Sequence, residues 1–104
     1  MPRADLEEWA DNLFLAEYKL LKRKTFSCPS YYKGKKLFAF LYKDGLGIKL
    51  LPEKVLQKIA ENSEIYSHFH PGDGVMKNWL IITYPEASEY DQEKGMIEEA
   101  LKAM

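Results

Sequence analysis

The sequence predicts an α+β fold: a two-layer α/β arrangement of three helices on one mostly antiparallel five-stranded sheet, in the order α-β-β-β-α-β-β-α. Three features of the chain point there. Residues 37–50 alternate with period two on both sides of Asp44-Gly45, the strongest short-range signal of a β-hairpin. Residues 79–84, Trp-Leu-Ile-Ile-Thr-Tyr, are apolar on both faces, as a buried strand requires. Stretches near the two ends carry apolar residues at helical spacing, and such helices bury their stripes by packing on a sheet. The length of 104 residues suits one domain, residues 1–104, with a substantial core.

Leu6, Trp9, Leu13, Phe14, Leu20 and Leu21 form a 3.6-residue stripe that predicts a first helix from Ala4 to Leu21. Asp5, Glu7 and Glu8 in its first turn and Lys22-Arg23-Lys24 near its end suit the helix dipole. Thr25 to Tyr32 predicts the first strand, on a sheet edge because Pro29 cannot donate a ladder hydrogen bond. Lys33-Gly34 turns into the hairpin, where Leu37, Ala39 and Leu41 alternate with Phe38, Phe40 and Tyr42. Asp and Gly tolerate the positive φ of a tight turn, and Leu46, Ile48 and Leu50 return the chain.

Pro52 opens the second helix at a position where its missing N–H costs nothing, and Val55, Leu56 and Ile59 form its apolar face. Glu64 to Phe69 predicts the fourth strand, His70-Pro71-Gly72-Asp73-Gly74 a turn, and Trp79 to Tyr84 the fifth strand, ended by Pro85. A last helix spans Ala87 to Ala103, with Ile97, Ala100, Leu101 and Met104 on its buried face. Gly95 inside it costs about 1 kcal/mol against alanine.

Composition narrows the functional classes. The chain is 46% hydrophobic and 30% charged, with a formal net charge of −1, so no global charge draws it to nucleic acid or membrane. No apolar run approaches the roughly 20 residues of a membrane span. The N-terminal stretch lacks the apolar core of a signal peptide, and the single cysteine cannot form an internal disulfide, which together point to the cytoplasm. Charge is uneven: residues 19–54 carry ten cations against two acids, and residues 55–104 four cations against nine acids.

From Lys22 onward the chain resembles the N-terminal domain of the TfoX family of competence regulators, and more distantly YjbR-like proteins. Arg23-Lys24-Thr25-Phe26-Ser27 stands where that family has a basic residue leading into Met-Phe-Gly. Gly34-Lys35-Lys36-Leu37-Phe38-Ala39 is similar to its Gly-Lys-x-Phe-Ala segment, Lys49-Leu50-Leu51-Pro52 to its Lys-Leu-x-Pro join, and Met76-Lys77-Asn78-Trp79 to its Met-x-x-Trp strand. The resemblance implies the fold and a regulatory or interaction role, and it supplies no catalytic residues.

Four sets of residues are candidates for chemistry. Lys22, Arg23, Lys24, Lys33, Lys35 and Lys36 interleave with Tyr31, Tyr32, Phe38, Phe40 and Tyr42, so cations could hold phosphates while rings stack on bases; alternatively, the rings are core and the lysines protect an edge strand. His68 and His70 share a strand face near Asp73, the beginning of a metal or small-ligand site, or simply two solvent-facing imidazoles. Cys28, downstream of three cations, is a reactive thiol or a small buried hydrophobe. Glu86, Glu89, Asp91, Glu93, Glu98 and Glu99 read as a solvated helix surface rather than an acid–base pair. No residue set calls for a cofactor. The sequence thus predicts a non-enzymatic cytoplasmic protein that works through protein contacts, a homodimer being one form of them, with nucleic-acid binding as the alternative.

Overall fold

The computed structural model describes residues 3–25 and 27–104. Its centre is the predicted hairpin, β3 (Lys36–Tyr42) and β4 (Gly45–Lys49). Tyr42 pairs with Gly45, so Lys43-Asp44 makes the turn and Lys43 takes the left-handed conformation at φ 53°. Gly45 is needed for space rather than for positive φ: a Cβ there would stand 2.8 Å from Thr83 Oγ1 and 2.9 Å from the Ile82 carbonyl oxygen.

Around this hairpin lie β1 (Leu21–Thr25), β2 (Cys28–Lys33), β5 (Tyr66–Phe69) and β6 (Met76–Ile82). The antiparallel sheet has the order β1-β2-β3-β4-β6-β5. The chain enters through α1 (Ala4–Ala10), continued by a π-helical segment over Asp11–Glu17. Helix α2 (Pro52–Glu61) links β4 to β5, and a 3-10 segment (Ala87–Glu93) leads into α3 (Lys94–Lys102). The class is the predicted α+β, with six strands rather than five among the described residues.

The extra strand comes from residues assigned to the first helix and first strand. The helical segment stops at Glu17, where Lys19 turns the chain at φ 60° and Leu20 N–H bonds back to the Phe14 carbonyl. Leu21 to Thr25 then pair with Tyr32 to Cys28, so Lys22-Arg23-Lys24 form an edge strand rather than a helix end. Interstrand bonds to β2 satisfy the backbone there, and Leu21 stays 50% exposed at the sheet edge. Thr25 to Tyr32 therefore spans a hairpin, and Pro29 lies in β2, inside the edge. Phe26 lies outside the described residues.

The helices cover one face of the sheet. Leu6, Phe14, Tyr31, Leu41, Ile48, Leu80 and Ile97 meet in the core between the layers. Within β3 the predicted alternation fails at one point: Phe38 has no partner in the ladder, because Tyr31 pairs with Ala39 and Tyr32 with Leu37. This β-bulge puts Phe38 and Ala39 on the helix side together and sends Leu37 to the other face with Phe40 and Tyr42. Of the α2 stripe, Val55 is buried and Ile59 half-buried, but Leu56 is exposed because α2 rests on the sheet along a narrow line. Among the described residues, no helix is long and apolar enough to cross a membrane.

The two glycine environments give opposite expectations. Gly45→Ala should cost about 1–3 kcal/mol through the clash with fixed backbone. Gly95→Ala, whose Cβ would meet nothing within 4 Å, should gain up to about 1 kcal/mol of helix propensity. Urea unfolding of the two variants checks both signs.

Candidate functional site

The face of the sheet without helices is apolar. Phe40, Trp79 and Ile81 are each only 7% exposed there, with Leu37, Tyr42 and Phe69 packed against them. Period two explains which residues arrive: in β6, Leu80 and Ile82 serve the core while Trp79 and Ile81 turn the other way. In β4 the corresponding positions are Gly45 and Gly47. A Cβ on Gly47 would stand 2.6 Å from Phe40 Cζ, so the Phe40 ring lies over bare backbone. It reaches across β4 to Trp79, with centroids 5.0 Å apart, and to Phe69 at 4.9 Å, while Tyr42 meets Phe69 edge to face at 5.0 Å.

This cluster floors a groove of about 720 Å³. Thr25, Cys28 and Ser30 of the β1–β2 hairpin line it on one side, and His70, Pro71 and Gly72 of the β5–β6 loop on the other. Its polar groups are few. Ser30 Oγ donates to the Cys28 carbonyl (3.1 Å), and Thr25 Oγ1 shares a hydrogen bond with Tyr32 Oη (2.9 Å). The site is suited to noncovalent binding of a flat apolar body with a hydrogen-bonding edge.

The fold separates the residues that the sequence grouped. Cys28 and His70 line the same groove, although no hydrogen bond joins them among the described residues. His68 pairs with Leu80 of β6, whereas β5 ends at Phe69 after a bulge, so the two histidines do not continue one strand face. Their rings lie edge to face with centroids 6.4 Å apart. Among the described residues, no group of three or more His, Cys, Asp or Glu is placed to hold a metal ion.

The basic segment is also dispersed. Lys22 turns to the helix side, where it is bound by Glu7 (2.8 Å) and Asp11 (3.0 Å). Arg23 lies over the Tyr32 ring, 5.5 Å from its centroid. Lys33 Nζ donates to the Leu101 and Met104 carbonyls at the end of α3, where a cation also suits the dipole. Lys24, Lys35 and Lys36 are exposed. Of the interleaved rings, Tyr31 and Phe38 are fully buried in the core and offer no stacking surface.

One acid of the last helical stretch departs from the expected solvated surface. Glu93 is 2% exposed, and its Oε2 accepts hydrogen bonds from Tyr66 Oη (2.5 Å) and Tyr84 Oη (2.6 Å). Lys58 Nζ stands 3.8 Å from the other carboxylate oxygen and 4.6 Å from the centre of the Tyr66 ring. Glu93 lines neither the sheet-face groove nor the groove between α2 and α3, and its bonds tie the last helical segment to β5 and to the end of β6. A buried carboxylate needs such donors, and the 3-10 turn carries it inward.

Phe69 and Trp79, which line the groove, and Gly47, which lies under the Phe40 ring, are not singled out as site residues by the sequence. The signal for them was present: β3 and β6 are apolar on both faces, more than three helices on one side can cover. No family model, curated protein or solved structure matches the chain.

Burial, with Asp11 beside Tyr31 and Glu93 beside Tyr66 and Tyr84, holds these three hydroxyls protonated above the ordinary tyrosine range; burial does the same for Tyr90. An unfolded tyrosine ionises near pH 10, so above about pH 10 the unfolded chain releases protons first and stability falls as pH rises. Below that pH the contribution is complete. The Tm should therefore decline from about pH 10 upward, and less steeply in Tyr66→Phe. A Tm independent of pH across that range in both proteins would contradict the assignment.

Proposed function

We propose that this chain is a non-enzymatic cytoplasmic binding protein whose sheet-face groove takes a small, flat, mainly apolar molecule. The observation that carries this is the cluster of Phe40, Trp79, Phe69 and Tyr42 around a groove of about 720 Å³. Ligand sites commonly have volumes of about 300–1,000 Å³, apolar and aromatic walls and a few polar groups that fix orientation. Thr25 and His70 provide such polar groups. The 7% exposure of Phe40 and Trp79 supports a ligand over a protein on this face: the rings already cover one another, leaving a cleft rather than a broad apolar patch. The regulatory role implied by the resemblance to the TfoX N-terminal domain is compatible with a ligand-responsive module. Nucleic-acid binding is the weaker reading, because Lys22 and Lys33 are engaged within the fold.

Titration with anilinonaphthalene sulfonate, read by dye fluorescence on the folded protein, tests the proposal. Saturation at one site is expected, weakened about tenfold or more by Cys28→Trp, which fills the groove from its rim, and unchanged by Leu51→Ala on the far side of the sheet. Absence of saturable binding, or equal binding by Cys28→Trp in a protein that still unfolds cooperatively, would sink the idea. A labelled mixed-sequence oligonucleotide that binds with steep salt dependence would instead favour the basic segment.

A further inference from the structure

The sheet is free of acids. None of the six described strands contains an aspartate or a glutamate, and the chain's acidic residues lie on helical segments and in connections. Charge therefore divides by layer, with the acids among the helices and the helix-free face left without them. Among the described residues, no Asp or Glu lines the sheet-face groove, and the acids nearest to its lining in sequence, Asp44 and Asp73, are exposed to solvent.

Cations stand at the edges of the groove instead. Arg23 belongs to one cross-strand row with Ser30 and Phe40, since it pairs with Ser30 and Ser30 with Phe40. Its guanidinium lies over Tyr32, 5.5 Å from the ring centre, and Tyr32 Oη shares a 2.9 Å hydrogen bond with Thr25 Oγ1 on the rim. A guanidinium held over a ring by cation–π attraction retains N–H donors in its own plane for an anion. Lys43 Nζ stands 5.2 Å from the centre of the Tyr42 ring, which also lines the groove. Arg23 and Lys43 are exposed, and among the described residues neither forms an ion pair. A cationic ligand would meet these charges with no carboxylate to offset them, whereas an anion neutralises them beside an aromatic wall that weakens solvent screening. We infer that the molecule held in the sheet-face groove is a planar aromatic anion, its rings against Phe40, Phe69 and Trp79 and its acidic group at the rim marked by Arg23 and Thr25. This rests on the groove being a ligand site and adds the charge of its occupant.

The neutral dye N-phenylnaphthylamine, read by its fluorescence, marks the groove without regard to charge, and two competitors built on the same naphthalene ring carry opposite charges. Naphthoate should displace the dye at a concentration about tenfold or more below that needed of naphthylmethylammonium, and the difference should shrink as salt rises. The variant Arg23→Glu/Lys43→Glu should reverse the order, whereas Lys54→Glu on α2 should leave it as in the native protein. All three positions are exposed, and circular dichroism with cooperative unfolding verifies that each variant is folded. Equal displacement by the two competitors, a preference for the cation, or an order unmoved by Arg23→Glu/Lys43→Glu would overturn the inference while leaving the groove a ligand site. No saturable binding of the neutral dye would remove the ligand site itself, and the inference with it.

Discussion

On the helix-free face, Gly45 and Gly47 of β4 carry no side chains where the neighbouring strands carry apolar ones. The ring of Phe40 occupies the space that a Cβ at Gly47 would take, and through it β3 touches β6 across an intervening strand. Much of the architecture depends on this close approach. It lets the helix-free face cover itself with aromatic rings, and so α1, α2 and α3 can all pack on the opposite face around a single core. A larger residue at Gly47 would push Phe40 off the strand and break its contacts with both Trp79 and Phe69.

The class of fold was legible because its signals are local and periodic. The β3–β4 hairpin, the proline start of α2 and the doubly apolar β6 each follow from short-range chemistry. The failures came where long-range pairing outweighed local preference. Leu20 and Leu21 continue the helical stripe of α1, yet Leu21 pairs with Tyr32 because β2 offers a ladder that a further helical turn cannot match. Phe38 shares its face with Ala39 because one residue of β3 is bulged, and no sequence period encodes a bulge. Glu93 resembles its acidic neighbours in sequence and differs only in where the 3-10 turn places it.

The groove was partly legible for the same reason. Cys28 and His70 were singled out by residue type, but only the fold brings them to one cleft, and Trp79 and Phe69 look like ordinary core residues in the sequence. The uneven charge of the chain was legible but its consequence was not. Folding spends Lys22 on two acids of the first helical segment and Lys33 on the carbonyl end of α3, so the basic segment works as an internal fastener at both places. Lys49, Lys54 and Lys77, from three separate parts of the chain, contribute to the lining of the α2–α3 groove and form no ion pair among the described residues.

Arg3 joins points that are far apart along the chain. Its guanidinium is held by Asp5 and donates to the carbonyls of Asp44, at the β3–β4 turn, and of Tyr84 and Pro85, just beyond β6. The partners lie 41, 81 and 82 residues away in sequence. Contacts of such separation carry a large loop-closure cost and can form together only when the strands between them are in place. Arg3 thus makes contacts that close only when Tyr84 and Pro85 have reached their places. Arg3 is a latch that stays open until β6 is in place.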